Sequence, residues 1–183
     1  MSSCAYPETK PSAWVKRHAS LIKPQGRVLD VATGSGRNAR WLATQGWQVE
    51  AVDKDETALA SMQGLPGINT QVADIENGPW PYTGQKFDGI VVCRYLHRPL
   101  FPALLDSLKA DGLLIYETFM VGHEVYGRPK NPDFLLRPNE LLDVFLPSLI
   151  PVTFEQGFDP LQQAVVQRIC LSGKAASLSS LHV

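Results

Sequence analysis

Short apolar runs alternate with helix-forming segments along most of this chain, and this alternation restricts the possible folds more than any other feature. Short continuous apolar runs are typical of strands that are buried on both faces of a parallel sheet. Several of these runs are separated by segments with helix formers or with helical spacing of apolar residues. The predicted strands are residues 27–32, 47–52, 68–73, 87–93 and 113–118, and the predicted helices are 12–21, 37–45, 56–63, 101–108 and 139–145.

The end of the chain departs from this alternation. Two apolar runs, residues 151–158 and 164–171, follow each other without a helix between them, which requires one antiparallel strand inserted at the far edge of the sheet. The sequence therefore predicts an α/β, Rossmann-like, doubly wound fold whose seven-stranded, mostly parallel sheet has one antiparallel strand near the C-terminus. We expect a single domain over residues 1–183, with a core at about 24–172, a flexible N-terminal segment and a frayed tail from residue 173.

The composition excludes several classes of protein. The formal net charge is −1, so no overall positive field attracts nucleic acid. No stretch approaches the roughly 18 to 20 apolar residues that a membrane span needs. Cys4, Cys93 and Cys170 fit neither a disulfide framework nor a zinc site, which favours a cytoplasmic protein with reduced thiols and no metal.

A glycine loop follows the first predicted strand. Gly34 and Gly36 allow close approach of a ligand to the backbone, and the next helix offers free N–H groups to an anion. The spacing Gly34-x-Gly36-x-x-Ala39 also fits a dinucleotide fingerprint, so a nicotinamide-binding domain is one alternative. Asp30 favours a different ligand, because its charge would repel a pyrophosphate but suits the ammonium group of an amino acid.

Two more acidic residues follow the next strands. Asp53 ends the second predicted strand, where a carboxylate can accept hydrogen bonds from two ribose hydroxyls. Asp74 ends the third, where it can accept from the exocyclic amine of adenine. The alternatives are a helix cap for Asp53, although Asp55 could serve equally well, and a turn residue for Asp74.

These residues together resemble the class I S-adenosylmethionine (SAM)-dependent methyltransferase family. Residues 36–39, Gly-Arg-Asn-Ala, are most similar to the tellurite-resistance-type members. The resemblance covers about residues 24–172, and it rests on residues 28–36 (motif I, VLDVATGSG), 49–53 (motif II, VEAVD), 72–75 (VADI), 87–92 (motif IV, FDGIVV) and 108–114.

The resemblance implies that SAM is the cofactor and S-adenosylhomocysteine the product. Asp30 would contact the amino group of SAM, the glycine loop its methionine part, Asp53 its ribose and Cys93 the region of its sulfonium. Asp74 and Ile75 would frame the adenine. The implied cofactor-binding residues are Asp30, Ala32, Gly34, Gly36, Asn38, Asp53, Lys54, Asp74, Ile75 and Cys93.

The acceptor side is predicted from residues near the ends of the fourth and fifth strands. Tyr95, His97 and Tyr116 are the candidates for a catalytic role, because a base is needed only where the nucleophile arrives protonated. Residues 120–137 could form a lid over the site. The predicted substrate-binding residues are Arg37, Arg94, Glu117, Arg128 and Arg137, whose mostly basic character suits a small anionic acceptor.

Several functions remain open at this point. The chain could be a non-catalytic SAM-binding protein, or it could methylate RNA or protein. The near-neutral charge disfavours a large nucleic acid, and the Asn/Asp-Pro-Pro-Tyr motif of amino-group DNA methyltransferases is missing after the fourth strand. We therefore predict a methyltransferase that acts on a small-molecule acceptor. We expect it to be a monomer or homodimer and not to associate with a membrane.

Overall fold

The computed structural model describes residues 10–176 and confirms the predicted sheet. Its seven strands have the order β3-β2-β1-β4-β5-β7-β6, and β7 runs antiparallel to both of its neighbours. The register places Asp30 beside Ala51 and brings the carboxyl ends of the parallel strands to one edge of the sheet. The strands are β1 (Arg27–Val31), β2 (Gln48–Asp53), β3 (Ile68–Val72), β4 (Phe87–Cys93), β5 (Leu108–Phe119), β6 (Leu149–Asp159) and β7 (Ala164–Gly173).

The helices begin near the predicted positions but are shorter. Ser12 caps the first one, because its hydroxyl accepts hydrogen bonds from the N–H groups of Trp14 and Val15. The predicted fourth helix extended to Leu108, which instead begins β5. The helices are α1 (Ala13–His18), α2 (Arg37–Thr44), α3 (Glu56–Ala60), α4 (Phe101–Ser107) and α5 (Glu140–Phe145).

Two apolar clusters hold the helices on opposite faces of the sheet. One contains Trp14 of α1, Leu42 of α2 and Leu59 of α3. The other contains Phe101 of α4 and Phe145 of α5, whose ring centroids lie 5.3 Å apart. Burial of apolar surface on both faces is what fixes a parallel sheet of this kind, so the polar edge at the strand ends is left for ligands.

The C-terminal end of the described chain is held by a main-chain contact. The N–H of Ala175 donates to the carbonyl of Ala110 at 2.9 Å, so the first residues of the predicted tail lie against β5. The remainder of that tail, most of the predicted N-terminal segment and Cys4 lie outside the described residues. Within residues 10–176, no helix has the length and apolar character needed to cross a membrane.

Candidate functional site

A cavity of about 290 Å³ lies at the carboxyl ends of β1, β2 and β3, and we call it the first cavity. Its walls combine three carboxylates with small and apolar side chains. Five of the ten predicted cofactor-binding residues are among its lining residues, which are Ala32, Asp53, Lys54, Ala73, Asp74, Ile75, Glu76 and Tyr95.

The glycine loop between β1 and α2 has an unusual backbone. Ala32, Gly34 and Gly36 have φ values of 51°, 56° and 77°, in the left-handed region that favours glycine. A Cβ atom added to Gly36 would lie 2.6 Å from Cε of Met62, whereas one added to Gly34 would meet no atom of the described chain within 4 Å. Gly36 is therefore required for packing, and Gly34 keeps the space in front of the loop open.

Asp30 is buried beneath this loop. Its Oδ2 accepts hydrogen bonds from Oγ1 of Thr33 at 2.6 Å and from the N–H of Ala39 at 3.1 Å. Burial raises the pKa of Asp30 to about 6, against the opposing effect of these hydrogen bonds. The carboxyl group thus connects the loop to the first turn of α2, and a contact with an amino group stays a prediction.

Asp53 connects the glycine loop to the end of β2. Its Oδ2 accepts from the N–H of Gly34 at 2.8 Å, and its Oδ1 accepts from the N–H of Asp55 at 3.0 Å. Asp55 in turn caps α3 by accepting from Ala58 at 3.0 Å. The helix cap is therefore Asp55, as the sequence allowed, and Asp53 is held at the wall of the first cavity.

Asp74 stabilises a turn, which was the alternative role that the sequence allowed for it. Its carboxylate accepts from the N–H groups of Glu76 and Asn77 and from the side-chain amide of Asn77. The side chain of Asn77, followed by these main-chain donors, holds the pKa of Asp74 below its usual range. The same turn places Asp74 and Ile75 in the wall of the first cavity.

The other predicted cofactor residues lie outside the lining of the first cavity in the described part of the chain. Oδ1 of Asn38 accepts from the N–H of Ser12 at 2.9 Å, so it anchors the segment before α1. Sγ of Cys93 lies 3.5 Å from Oε1 of Glu117 and 3.7 Å from Nη2 of Arg37. Burial, followed by the charge of Glu117, raises the pKa of Cys93 to about 12, which keeps the thiol protonated.

A second cavity, of about 210 Å³, lies beyond the ends of β4 and β5. Glu76 and Tyr95 belong to the walls of both cavities, so the two adjoin. Most of the remaining wall is apolar or aromatic. The lining residues of this second cavity are Glu76, Arg94, Tyr95, Leu96, Thr118, Phe119, Pro129 and Phe134.

The three predicted catalytic residues occupy different places. Oη of Tyr95 is buried near the carboxylate of Glu76, and among the described residues it makes no hydrogen bond of good geometry. Burial, followed by the charge of Glu76, raises the pKa of Tyr95, so this hydroxyl is neutral near pH 7. Tyr116 is buried in the core, and its hydroxyl donates to the carbonyl of Tyr95 at 2.9 Å. His97 is half-buried just before a short 3₁₀ turn, and Tyr116 and His97 are outside the lining of both cavities as described.

The predicted substrate-binding residues do not converge on one cavity. Arg94 lines the second cavity, and its guanidinium carbon lies 5.7 Å from the ring centroid of Phe119. Nη1 of Arg37 donates to the carbonyl of Lys10 at 3.1 Å. The buried Glu117 accepts from Ser12 at 2.8 Å, which makes it an anchor of the N-terminal segment.

Two further arginines of this group lie on the surface. Arg128 is exposed, and its carbonyl accepts from Nε2 of His123 at 3.0 Å. Nε of Arg137 lies 3.4 Å from Oε2 of Glu140. In residues 10–176, Arg94 is thus the one member of the predicted substrate-binding group that lines the second cavity.

The segment predicted as a lid, residues 120–137, forms one wall of the second cavity. Its end is fixed by Arg98, which donates to the carbonyls of Asp133 at 2.7 Å and Leu135 at 3.0 Å. Arg98 also makes a two-oxygen ion pair with Glu140, with distances of 2.6 and 3.0 Å. Because these contacts hold the base of the segment, any closing movement would be confined to its exposed middle part.

Sequence reasoning missed seven of the lining residues. Glu76 follows closely after Asp74, and Phe119 ends β5, so position relative to the strand ends was an available signal for both. Pro129 and Phe134 come from the irregular segment, whose path has no sequence signature. The missed residues are Ala73, Glu76, Leu96, Thr118, Phe119, Pro129 and Phe134.

Comparison with known proteins gives a consistent family relationship. Residues 28–112 match a family described as a methyltransferase domain. The Bacillus subtilis protein YqeM, itself named for a methyltransferase activity, is 26% identical over 115 residues, which are 57% of this chain and 47% of YqeM. The chain thus spans about half the length of this curated relative.

Solved structures share the fold. TehB from Haemophilus influenzae superimposes with a TM-score of 0.69 at 19% identity, over 87% of this chain and 61% of TehB. A TehB-like SAM-dependent methyltransferase from Corynebacterium glutamicum gives 0.61 at 20% identity, over 88% and 87% of the two chains. A Burkholderia thailandensis 1,6-didemethyltoxoflavin-N1-methyltransferase, solved with that compound and S-adenosylhomocysteine, gives 0.62 at 18% identity, over 87% and 76%.

Proposed function

Because residues 28–112 match a methyltransferase domain and the chain shares the fold of TehB, we propose that it is a class I, SAM-dependent methyltransferase that transfers a methyl group from SAM to a small-molecule acceptor. The observation that carries the proposal is the first cavity at the ends of the first three strands. The second cavity, which shares Tyr95 and Glu76 with it, is the proposed acceptor site.

The residues of the first cavity fit the adenosine part of SAM. The carboxylates of Asp53 and Asp74 provide hydrogen-bond acceptors for the ribose hydroxyls and the adenine amine. Ile75 and Ala73 provide apolar contact for the base, and Lys54 lies at the same wall. The volume of about 290 Å³ is at the lower end of the range typical of small-molecule sites.

The methionine part of SAM is assigned to the glycine loop. Gly34 leaves open space in front of the backbone, so the loop can be approached closely. We assign the amino group of SAM to the buried Asp30, because a cation there would offset the cost of burying its charge. Ala32, Gly36, Asn38 and Cys93 complete this side by shaping the loop and the neighbouring strand end.

When bound, SAM supplies a methyl carbon on a sulfonium leaving group, so that the C–S bond breaks as the acceptor's nucleophile bonds to the methyl carbon and its proton passes to solvent. The task of the chain is then to hold the nucleophile in line, which can lower a barrier by roughly 7 to 11 kcal/mol. Tyr95 is the catalytic residue that we propose, because its neutral hydroxyl can orient the acceptor from the shared wall. Tyr116 acts through Tyr95 as a positioning residue, and the role of His97 stays a prediction.

A calorimetric titration with SAM, S-adenosylhomocysteine and NAD⁺ tests this proposal. We expect both adenosyl ligands to bind and NAD⁺ to fail. Asp53→Ala should raise both dissociation constants by at least about tenfold, because each hydrogen bond to a charged group contributes roughly 1.5–3 kcal/mol. Asp55→Ala is the matched control, since it removes a nearby carboxylate that caps α3 and leaves both ligands bound.

Two results would contradict the proposal. Binding of NAD⁺ in preference to the adenosyl ligands would mean that the glycine loop holds a pyrophosphate. Equal losses of affinity in Asp53→Ala and Asp55→Ala would mean that the end of β2 contributes by folding alone, and not by contact with ribose.

A further inference from the structure

We infer that the second cavity binds a neutral, planar aromatic acceptor, an inference that rests on the proposed methyltransferase function. The inference replaces the small anionic acceptor that the basic residues of the sequence favoured. It is carried by the size of the cavity, by its aromatic walls, by the balance of its charges and by one buried hydroxyl group.

The volume suits one or two fused rings. A cavity of about 150 Å³ in another protein is large enough to bind benzene when its walls are apolar. The second cavity measures about 210 Å³, so it can hold a ring with a substituent or a small bicyclic system. An inorganic oxyanion would leave much of this volume filled by water or empty.

The walls present flat apolar surfaces. Phe119 is held in place by His123, which stacks on it with ring centroids 4.0 Å apart and an interplanar angle of 14°. Phe134 is 50% exposed at the edge of the cavity, although an aromatic ring gains from being covered. Leu96 and Pro129 add further apolar contact, so a planar ligand would bury surface that is now open to water.

The charges of the cavity oppose each other. Glu76 and Arg94 are its charged lining residues among those described, one of each sign. Arg94 also contacts the ring of Phe119 and lies 3.5 Å from Oε1 of Gln162. Recognition of an oxyanion usually relies on several donors and no neighbouring carboxylate, so this arrangement favours an uncharged ligand.

Tyr95 supplies the polar contact that would orient the ligand. Its hydroxyl is buried at the shared wall near the carboxylate of Glu76, and within residues 10–176 it makes no hydrogen bond of good geometry. A buried polar group without a partner costs about 1–3 kcal/mol, a cost that a heteroatom of the ligand can remove. A ring nitrogen or a substituent N–H or O–H beside Tyr95 would thereby lie next to the first cavity.

This inference is tested by titrating three probes, indole, quinoline and inorganic sulfate, into protein saturated with S-adenosylhomocysteine. Binding of the organic probes is measured by ligand-observed NMR, and binding of sulfate by its competition with them. We expect at least one aromatic probe to bind and sulfate not to bind. Phe134→Ala should weaken aromatic binding by at least about fivefold, because it removes one wall of the cavity. Tyr126→Ala is the matched control, since Tyr126 is an exposed aromatic residue of the same segment outside the cavity lining.

The outcomes separate the two proposals. Binding of S-adenosylhomocysteine without binding of either aromatic probe, or with preferential binding of sulfate, overturns the aromatic site and leaves the proposed function intact. Equal weakening by Phe134→Ala and Tyr126→Ala also overturns it, because the probes would then lie elsewhere. Failure of S-adenosylhomocysteine itself to bind overturns the proposed function, and the acceptor inference with it.

Discussion

The hydroxyl of Tyr116 donates a 2.9 Å hydrogen bond to the main-chain carbonyl of Tyr95. Tyr116 is buried in β5 and packs against the rings of Phe101 and Phe145, so it is fixed by the core. Tyr95 follows β4 and faces both cavities. The core of the protein therefore determines where the shared wall of the two cavities lies.

Tyr116→Phe should lower the free energy of unfolding by about 1 kcal/mol, because the carbonyl of Tyr95 loses its buried donor. The same variant should weaken aromatic probe binding severalfold and leave the affinity for S-adenosylhomocysteine unchanged. Tyr82→Phe is the control: the hydroxyl of Tyr82 is also buried but has no partner among the described residues, so its removal should cost no stability. Urea unfolding of both variants provides the measurement, and equal losses of stability would argue against the hydrogen bond.

Alanine substitutions at three glycines should distinguish the effect of backbone strain from the effect of lost contact with SAM. Gly34, Gly36 and Gly84 all have positive φ, so alanine at each should cost roughly 1 kcal/mol of stability. Gly36→Ala should cost more, because the new Cβ would press on Met62. Gly34→Ala should weaken the binding of S-adenosylhomocysteine at least about tenfold. Gly84→Ala should leave this affinity unchanged, because Gly84 has equally open surroundings but lies outside the lining of both described cavities. Equal affinities of the Gly34 and Gly84 variants would place the ligand away from the loop.

The fold was predictable because it depends on patterns that are local in sequence. Apolar runs that end at a polar residue or glycine predict both the strands and the edge at which they end. The helix-free pair β6 and β7 then requires the antiparallel insertion. The helix ends were less predictable, because residues such as Leu108 satisfy a helical spacing and a strand equally well.

The site was predictable only in part, because some of its residues are placed by local patterns and others by contacts that are distant in sequence. Asp53 and Asp74 follow strands directly, so their positions at the first cavity follow from the topology. The wall formed by Pro129 and Phe134 depends on contacts of Arg98 with main-chain carbonyls, which no sequence spacing records. Glu117 looked like a substrate contact because it lies at the end of a strand, but every residue of β5 from 112 to 118 is buried, and its side chain faces Ser12.

Asp30 should make stability depend on pH. Its pKa is raised from 3.8 to about 6 by burial, so the folded chain binds more protons at this site than the unfolded chain between these values. Its contribution to the free energy of unfolding therefore falls by about 3 kcal/mol as pH rises from about 4 to about 6, and is constant above that range.

Urea unfolding of the wild type and Asp30→Asn from pH 4 to pH 7.5 measures this effect. Relative to the wild type, the variant should gain stability as pH rises, because asparagine cannot ionise and can still accept a hydrogen bond from Ala39 or Thr33. Asp111→Asn, which changes an exposed carboxylate in β5, is the matched control. A constant difference between the wild type and Asp30→Asn across this pH range would rule out the shifted ionisation.

Arg98 and Arg137 both contact Glu140, yet we expect very different effects when each is changed to lysine. Arg98 makes two short contacts with the carboxylate of Glu140, which is only 3% exposed, and donates to two carbonyls of the segment that walls the second cavity. Burial alone would raise the pKa of Glu140. The donors of Arg98 and the N–H of Arg137 outweigh this effect and keep the pKa below its usual range. Lysine cannot reproduce this fork of donors, so Arg98→Lys should destabilise the protein by about 1–3 kcal/mol.

The side chain of Arg137 is 76% exposed and approaches Glu140 only to 3.4 Å, so Arg137→Lys should change stability by less than about 0.5 kcal/mol. If Arg98 holds the wall of the second cavity, Arg98→Lys should also weaken the binding of aromatic probes. The affinity for S-adenosylhomocysteine should stay the same. Thermal unfolding and the probe titration on the same two variants test both effects. Equal stability of the two variants would mean that Glu140 is held by the main chain of Arg137, and that the segment over the second cavity keeps its place without the guanidinium of Arg98.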